Sequence, residues 1–416
     1  MNIKRLQVAN LRAFEQATFE FNPRMTLLVG INGVGKTTVL DAVRLCLSKI
    51  LPATTASRSR GLPFTDEDIR GTAPALTVQL EFSLGGKEFE FLVHKQREAS
   101  VAHKRGVVRE QTMGTPDTEK CTPDLSVLGE STKTAEAQPV GIFFSTRRSL
   151  VSDAAPTTGS AAGGQAAAFA DALSSRELRL AEVAYWMRAQ EDLGREDPRA
   201  KKHITALSRA AKGFLPECKH LRAETSPKPR LLVDKGRLAL DVRQLSDGER
   251  GMLALVLDIA RRLSQANPGL ADPVKQGRAI VLIDELDLHL HPKWQRTVVE
   301  RLTDTFHSCQ FIATTHSPQI VAAVEPEQVL LVTETGVMRP DRTLGMDSNW
   351  ILRHLMQADD RPADAARVVR DIEALIKKGS FRMARKAIAS AKETGLDLPD
   401  WSVLEARMAR LEMVTK

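Results

Sequence analysis

Short apolar runs alternate with amphipathic stretches of helical period along this chain, and that rhythm predicts an α/β core. Residues 2–9 and 18–29 read as strands around a turn at Asn10–Phe14. The second ends in the apolar run Thr26–Val29, suited to a buried strand, and leads into a Gly-rich turn and a helix over 37–50. Over 76–95, Leu76, Val78, Leu80 and Phe82 alternate with polar residues, as do Phe89, Phe91 and Val93, around a Gly85-Gly86 hairpin turn. The pattern then lapses. Residues 96–139 are polar and 153–168 are rich in Ala, Gly and Thr; both read as loops, with a buried-strand candidate at 140–144 between them. Helical period returns over 172–192 and 199–213, and two strands, 231–233 and 238–242, flank Lys235-Gly236. Helices at 249–264, 294–306 and 318–324 then alternate with strands at 279–283, 310–314 and 329–333. Residues 348–413 read as helical only, in short amphipathic pieces broken near Arg361-Pro362, Gly379 and Leu398-Pro399.

No apolar run approaches the ~20 residues of a membrane helix, and the first residues lack a signal-peptide core, so a cytoplasmic location without membrane contact is expected. Cys46, Cys121, Cys218 and Cys309 show neither close pairing nor metal-ligand spacing and read as reduced thiols. Charge changes the picture more. Residues 201–243 hold eleven Lys/Arg against four Asp/Glu, so this one stretch carries the whole net charge of +7. Two readings stay open: a footprint for DNA or RNA phosphates, or a solvated helix face with basic residues near a nucleotide. An aromatic content of 5% disfavours a base-stacking groove for single strands.

The chemistry is concentrated in four places. Gly30-Ile-Asn-Gly-Val-Gly-Lys-Thr37 fits the phosphate-loop pattern G-x-x-x-x-G-K-[ST], with a strand before it and a helix after. Backbone from Asn32, Gly33 and Gly35 to Thr38 would face the phosphates of ATP, Lys36 would reach the β/γ-phosphates, and Thr37 would hold Mg²⁺. The apolar strand 279–283 ends in Asp284 and Glu285. Asp284 suits Mg²⁺ and Glu285 suits polarising the attacking water. Ser246 opens a helix, with Glu249 completing a capping-box pattern. Strand 310–314 runs towards His316. His289 and His291 raise a metal reading with His316, which no further Cys, His or carboxylate cluster supports.

Gln244-Leu-Ser-Asp-Gly-Glu-Arg250 resembles the Leu-Ser-Gly-Gly-Gln signature of ABC-type ATPases, and His316 stands where their switch histidine does. The resemblance implies an α/β ABC-type ATPase head, a P-loop fold with a mixed sheet flanked by helices, a helical lid and an α-helical C-terminal extension. Its parts would be 1–171 (N-terminal part of the lobe), 172–243 (lid and basic segment), 244–340 (signature, carboxylate pair and switch) and 341–416 (extension). Ser246 and Gly248 would meet the nucleotide of a second copy, giving a homodimer or higher oligomer. Val8-Ala-Asn-Leu-Arg-Ala-Phe14 resembles the start of RecF and SMC ATPases, which implies a phosphate approach for Arg12. The 210 residues from Lys36 to Ser246 already contain strands and leave no room for a long SMC-type arm.

Asp284-Glu-Leu-Asp-Leu-His-Leu-His-Pro292, with Asp347–Leu352 in the tail, is similar to compact bacterial ATPases of the overcoming-lysogenization-defect family and to the PtuA ATPases of Septu and retron anti-phage systems. That resemblance implies an ATPase that regulates an HNH-type nuclease effector in anti-phage defence. The alternative is a RecF-like DNA-binding ATPase of repair and recombination. The chain departs from the ABC pattern at His291, where a D-loop aspartate is usual, and at Ser145, in the Q-loop glutamine position. It also lacks the acidic cluster after His316 that a Toprim nuclease requires.

Overall fold

The computed structural model describes residues 1–97, 99–103, 106–110, 117–129, 132–149, 151–152, 164–224, 230–356 and 363–414. They fall into two units, Met1–Ser348 and Asn349–Lys416. In the first, β1 (Asn2–Leu11) and β2 (Phe14–Glu20) form a hairpin that brings Leu11 opposite Phe14. The strand expected over 18–29 is instead two strands in two sheets. Asn22-Pro23 breaks it, and Asn22 Oδ1 accepts hydrogen bonds from the backbone N–H groups of Arg24 at 2.9 Å and Met25 at 3.3 Å. The chain turns there, and β3 (Met25–Val29) enters the central sheet.

After α1 (Lys36–Thr54) come β4 (Ala75–Leu84) and β5 (Lys87–Gln96), paired across the anticipated Gly85-Gly86 turn. The reading of 96–139 as loop needs correction. It contains a hairpin, Ala99–His103 with Gly106–Glu110, and a strand, β6 (Thr118–Thr122), paired with β5. β6 is a polar edge strand whose extended form depends on its partner, so its own composition does not reveal it. The outer sheet runs β2-β1-β4-β5-β6. Next comes β7 (Val140–Phe144), buried at every position.

A short helix, Gly164–Phe169, stands where loop was expected. The helix expected from 172 starts only at Leu180, because Leu178–Arg179 pair as a strand with Val151–Ser152. Two helices, α2 (Leu180–Leu193) and α3 (Pro198–Phe214), precede a three-stranded sheet of β8 (Cys218–Glu224), β9 (Arg230–Lys235) and β10 (Leu238–Asp241). The basic stretch lies here and is partly neutralised. Arg209 pairs with Asp272, Arg222 with Asp234, Arg230 with Glu224, Lys235 with Glu249 and Arg243 with Asp241. Lys201, Lys202, Lys212, Lys219 and Arg237 are exposed, and Lys228 lies outside the described residues.

Beyond α4 (Asp247–Ala266), the strands β11 (Ala279–Ile283), β12 (Gln310–Thr314), β13 (Val329–Thr333) and β14 (Gly336–Met338) complete the central sheet. Its order is β14-β13-β3-β12-β11-β7. All pairings are parallel except the edge pair β13–β14. β3, β7, β11 and β12 are buried along their whole length, as near-continuous apolar strands of a covered parallel sheet should be. The helix expected over 294–306 is two pieces, Pro292–Gln295 and Val298–Thr305. Because β3, β12 and β11 are parallel neighbours, the segments leaving their carboxyl ends lie side by side, the usual place for a ligand in such sheets.

In the second unit, helices Ala363–Lys377, Phe381–Glu393 and Asp400–Val414 enclose Trp401, with Ile372, Ile376, Ile388 and Met408 around it. Its indole N–H donates to the Leu396 carbonyl at 2.9 Å. Among the described residues no helix is long and apolar enough to cross a membrane. Cys46, Cys121 and Cys309 are unpaired, and burial pushes the Cys46 and Cys309 thiols up to about 12.

Candidate nucleotide site

β3 stops at Val29 and the loop begins. Gly33 and Gly35 take φ of 86° and 101°, left-handed values that side-chain-bearing residues rarely adopt. Gly35 also needs the space: a Cβ there would sit 2.7 Å from the Phe14 ring. α1 starts with neither a side-chain cap nor an acidic residue in its first turn, so its leading N–H groups and dipole are directed at the loop. Lys36 lies across this turn, its Nζ donating to the carbonyls of Gly30 at 2.9 Å and Ile31 at 2.7 Å. Burial holds the Lys36 ammonium below its usual value, against the opposing pull of Asp284, Glu285 and Asp287. This backbone-lined, cation-bearing cradle fits a polyphosphate.

The carboxylates arrive from β11. Asp284 is buried and accepts from the Thr314 hydroxyl at 2.7 Å and the Thr37 hydroxyl at 3.2 Å. A hydroxyl and a carboxylate this close, beside a phosphate cradle, match the sparse protein ligation of Mg²⁺. The Glu285 backbone N–H donates to Thr314 Oγ1 at 2.7 Å, and Glu285 itself has φ of 52°. From β12, Thr315 Oγ1 donates to Asp287 Oδ1 at 2.6 Å and the His316 N–H to the same oxygen at 3.1 Å. Asn32, Gly33, Gly35, Lys36, Thr37, Thr38, Asp284, Glu285, Thr314 and His316 line one cavity of about 260 Å³.

Thr314 and Asp287 were not singled out in the sequence. Each fixes a functional group from a neighbouring strand, and only the β11–β12 register shows it. Burial, reinforced by Lys36, holds the His316 imidazole below its usual 6.5. A group with a lowered pKa stays neutral until the pH falls further. The His316 ring resonances are therefore expected to titrate below pH 6.5 in an NMR titration, and a midpoint above it would contradict this environment.

Three expected site residues lie outside the cavity. Arg12, at φ 45°, gives its guanidinium to Asp68 at 2.7 Å and Asp41 at 2.8 Å. The phosphate approach implied by the resemblance is an expectation for Arg12, whose guanidinium here is paired with two carboxylates. Ser246 caps α4: its hydroxyl oxygen accepts from the Glu249 N–H at 3.4 Å, while Glu249 Oε2 accepts from the Ser246 hydroxyl at 2.9 Å and the Ser246 N–H at 3.2 Å. Gly248 abuts the segment beyond the carboxylates, where a Cβ would sit 2.6 Å from the His289 carbonyl oxygen. His289 is left-handed, at φ 61°. Among the described residues no group of three His, Cys, Asp or Glu could hold a metal ion, so the three histidines form no such site. His291 Nδ1 instead accepts from the Lys293 N–H at 3.3 Å.

A phosphate loop, a carboxylate pair and a histidine beyond the ends of adjacent parallel strands, with a separate helix opened by Ser246, define an ABC-type P-loop ATPase head. Residues 25–322 match the family described as "AAA domain, putative AbiEii toxin, Type IV TA system", and the chain belongs to that family. It is 41% identical over 164 residues to the retron Ec83 probable ATPase of Escherichia coli, covering 39% of this chain and 30% of that protein. To the retron Vc95 probable ATPase of Vibrio cholerae it is 35% identical over 182 residues, covering 42% and 35%. To Septu protein PtuA of Bacillus mycoides it is 37% identical over 93 residues, covering 22% and 12%. The matches thus span about a third or less of these relatives' own lengths.

Proposed function

We propose that the chain binds ATP with Mg²⁺, dimerises on it, hydrolyses it, and uses that cycle in the cytoplasm to control a nuclease effector in anti-phage defence. One observation carries the reading. Phosphate loop, Asp284, Glu285 and His316 share a cavity that the signature residues Ser246 and Gly248 of the same chain do not reach. A second copy supplies them. The α1 N-terminus and Lys36 hold the triphosphate, and Thr37 and Asp284 would hold Mg²⁺, whose chemistry there would be to offset phosphate charge. Glu285 accepts the proton of the attacking water. His316, neutral at pH 7, donates to or accepts from the γ-phosphate side of the site. Catalysis on this reading is positioning and electrostatics.

The full chain is expected to sediment as a dimer with Mg²⁺ and a non-hydrolysable ATP analogue and as a monomer without it. Ser246→Arg should abolish the dimer while keeping analogue affinity. A dimer indifferent to nucleotide, or to Ser246→Arg, would remove the signature-to-loop arrangement. The likeness to retron and Septu ATPases supports the defence role, and an HNH-type nuclease is the effector proposed. A tagged chain should capture such a nuclease encoded beside it; failure in every nucleotide state rejects that partner.

A further inference from the structure

The buried Arg148 has no part in the roles above. It lies in the turn Thr146–Ser149 that follows β7, 6% exposed. Its guanidinium donates to three main-chain carbonyls. One Nη bonds the carbonyl of Asp284 and, at 3.3 Å, that of Ser145; the other bonds the carbonyl of Glu285 at 2.5 Å. Burial pushes its pKa down to about 10, so it remains a cation at neutral pH. A buried guanidinium is costly unless its donors are used, and here they grip the two peptides that carry the carboxylate pair.

Those peptides need holding. Glu285 sits at φ 52°, a conformation that costs a non-glycine residue about 1–2 kcal/mol. Thr314 Oγ1 fixes the Glu285 N–H from one side. Arg148 fixes its carbonyl from the other, so the left-handed peptide is clamped at both polar groups. The same turn is joined to the signature helix. Ser175 Oγ donates to Ser145 Oγ at 2.9 Å, and the next residue, Arg176, donates to Asp258 of α4 at 2.9 Å. One polar chain therefore runs from α4 through 175–176 and 145–148 to the backbone of Glu285.

We propose that Arg148 is a positioning residue that holds Glu285 in its water-activating orientation and ties it to the signature helix of the same protomer. The proposal rests on the reading of Glu285 as the general base. Among the described residues the Arg148 guanidinium bonds to backbone carbonyls, and Arg148 lies outside the residues that line the nucleotide cavity. Its loss should therefore act on turnover and spare ATP binding.

The test is a double-mutant cycle on the full chain, measuring kcat and KM for ATP, the Kd of a fluorescent ATP analogue, and the melting temperature. Arg148→Ala should lower kcat about 100-fold, the scale set by a displacement of roughly 1 Å at a reacting group, with KM and Kd within about 3-fold. Arg148→Lys, which keeps the charge and can reach one carbonyl, should recover about a tenth or more of the wild-type rate. In a Glu285→Gln background, Arg148→Ala should change the residual rate less than about 3-fold, since nothing is left to position. Full additivity in the cycle, an equal loss of ATP affinity, or a wild-type rate in Arg148→Ala would overturn the proposal. If Arg148→Ala fails to fold, Arg148→Met, which fills the space but removes every donor, should show the same loss of kcat and the same non-additivity with Glu285→Gln. Impaired Glu285→Gln with normal Arg148→Ala sinks this inference alone; a normal Glu285→Gln sinks the reading of Glu285 beneath it.

Discussion

Glu285→Gln is expected to lower the turnover number for ATP about 1000-fold while leaving ATP affinity within a few fold. The amide is nearly isosteric, keeps the hydrogen bond from the backbone N–H to Thr314 Oγ1, and leaves Lys36 and the α1 N-terminus untouched. It loses the ability to take a proton from water. On the proposed mechanism binding energy comes from the loop and the barrier is lowered by the carboxylate, so the two should separate cleanly in steady-state kinetics. The same substitution should accumulate a dimer stable in Mg²⁺ and ATP, visible by sedimentation, because closure is no longer undone by hydrolysis. Turnover within 3-fold of wild type would remove Glu285 from the chemistry.

The second large effect concerns stability. Asp258 is buried on α4 with three guanidinium groups around its carboxylate: Arg261 at 2.7 Å, Arg262 at 2.9 Å and Arg176 at 2.9 Å. Arg261 and Arg176 also reach Glu182 of α2, at 3.2 Å and 3.7 Å. Asp258→Ala strips these cations of their shared anion and is expected to cost about 3–5 kcal/mol of unfolding free energy at pH 7, read from denaturant titration. A loss under about 1 kcal/mol would show that water or rearrangement compensates. The pH dependence has a definite sign. Burial alone would raise the Asp258 pKa, but Arg262, Arg176 and Arg261 hold it well below the usual carboxylate value of 3.8. Its stabilisation is therefore complete above the unfolded-state value and lost as pH falls through the folded one. The Ala variant should show a correspondingly shallower stability decline in acid, measured between pH 5 and the onset of acid unfolding.

The parts of the fold written in local pattern could be read from the sequence. β3, the glycine loop and α1 follow from an apolar run, glycines and a helical period in direct succession, and β4–β5 from strict alternation around Gly85-Gly86. Gly33, Lys36, Thr37, Asp284, Glu285 and His316 stand out in the sequence because each lies at the end of such an element or in the loop just beyond it, and they line one cavity. What failed depended on partners. Asn22-Pro23 divides a run that looks continuous, and its meaning appears only once β3 is seen beside β12 and β13. β6 is a strand because β5 pairs with it. Thr314, Asp287 and Arg148 are ordinary residues in the sequence. They act on carboxylates or peptides contributed by another strand, so no spacing rule marks them.

Glu285 and His289 bracket the segment between the carboxylates and the signature contact, and both hold left-handed backbone without being glycine. Each carries strain on the order of 1 kcal/mol that a glycine would relieve. A search for hardier variants scored on thermal stability alone is therefore drawn to these two positions. At 285 it would delete the proposed base; at 289 it would slacken the backbone that meets Gly248. For this chain, gains in robustness are better sought in the helical unit from Asn349 onward, leaving that strained bracket as it is.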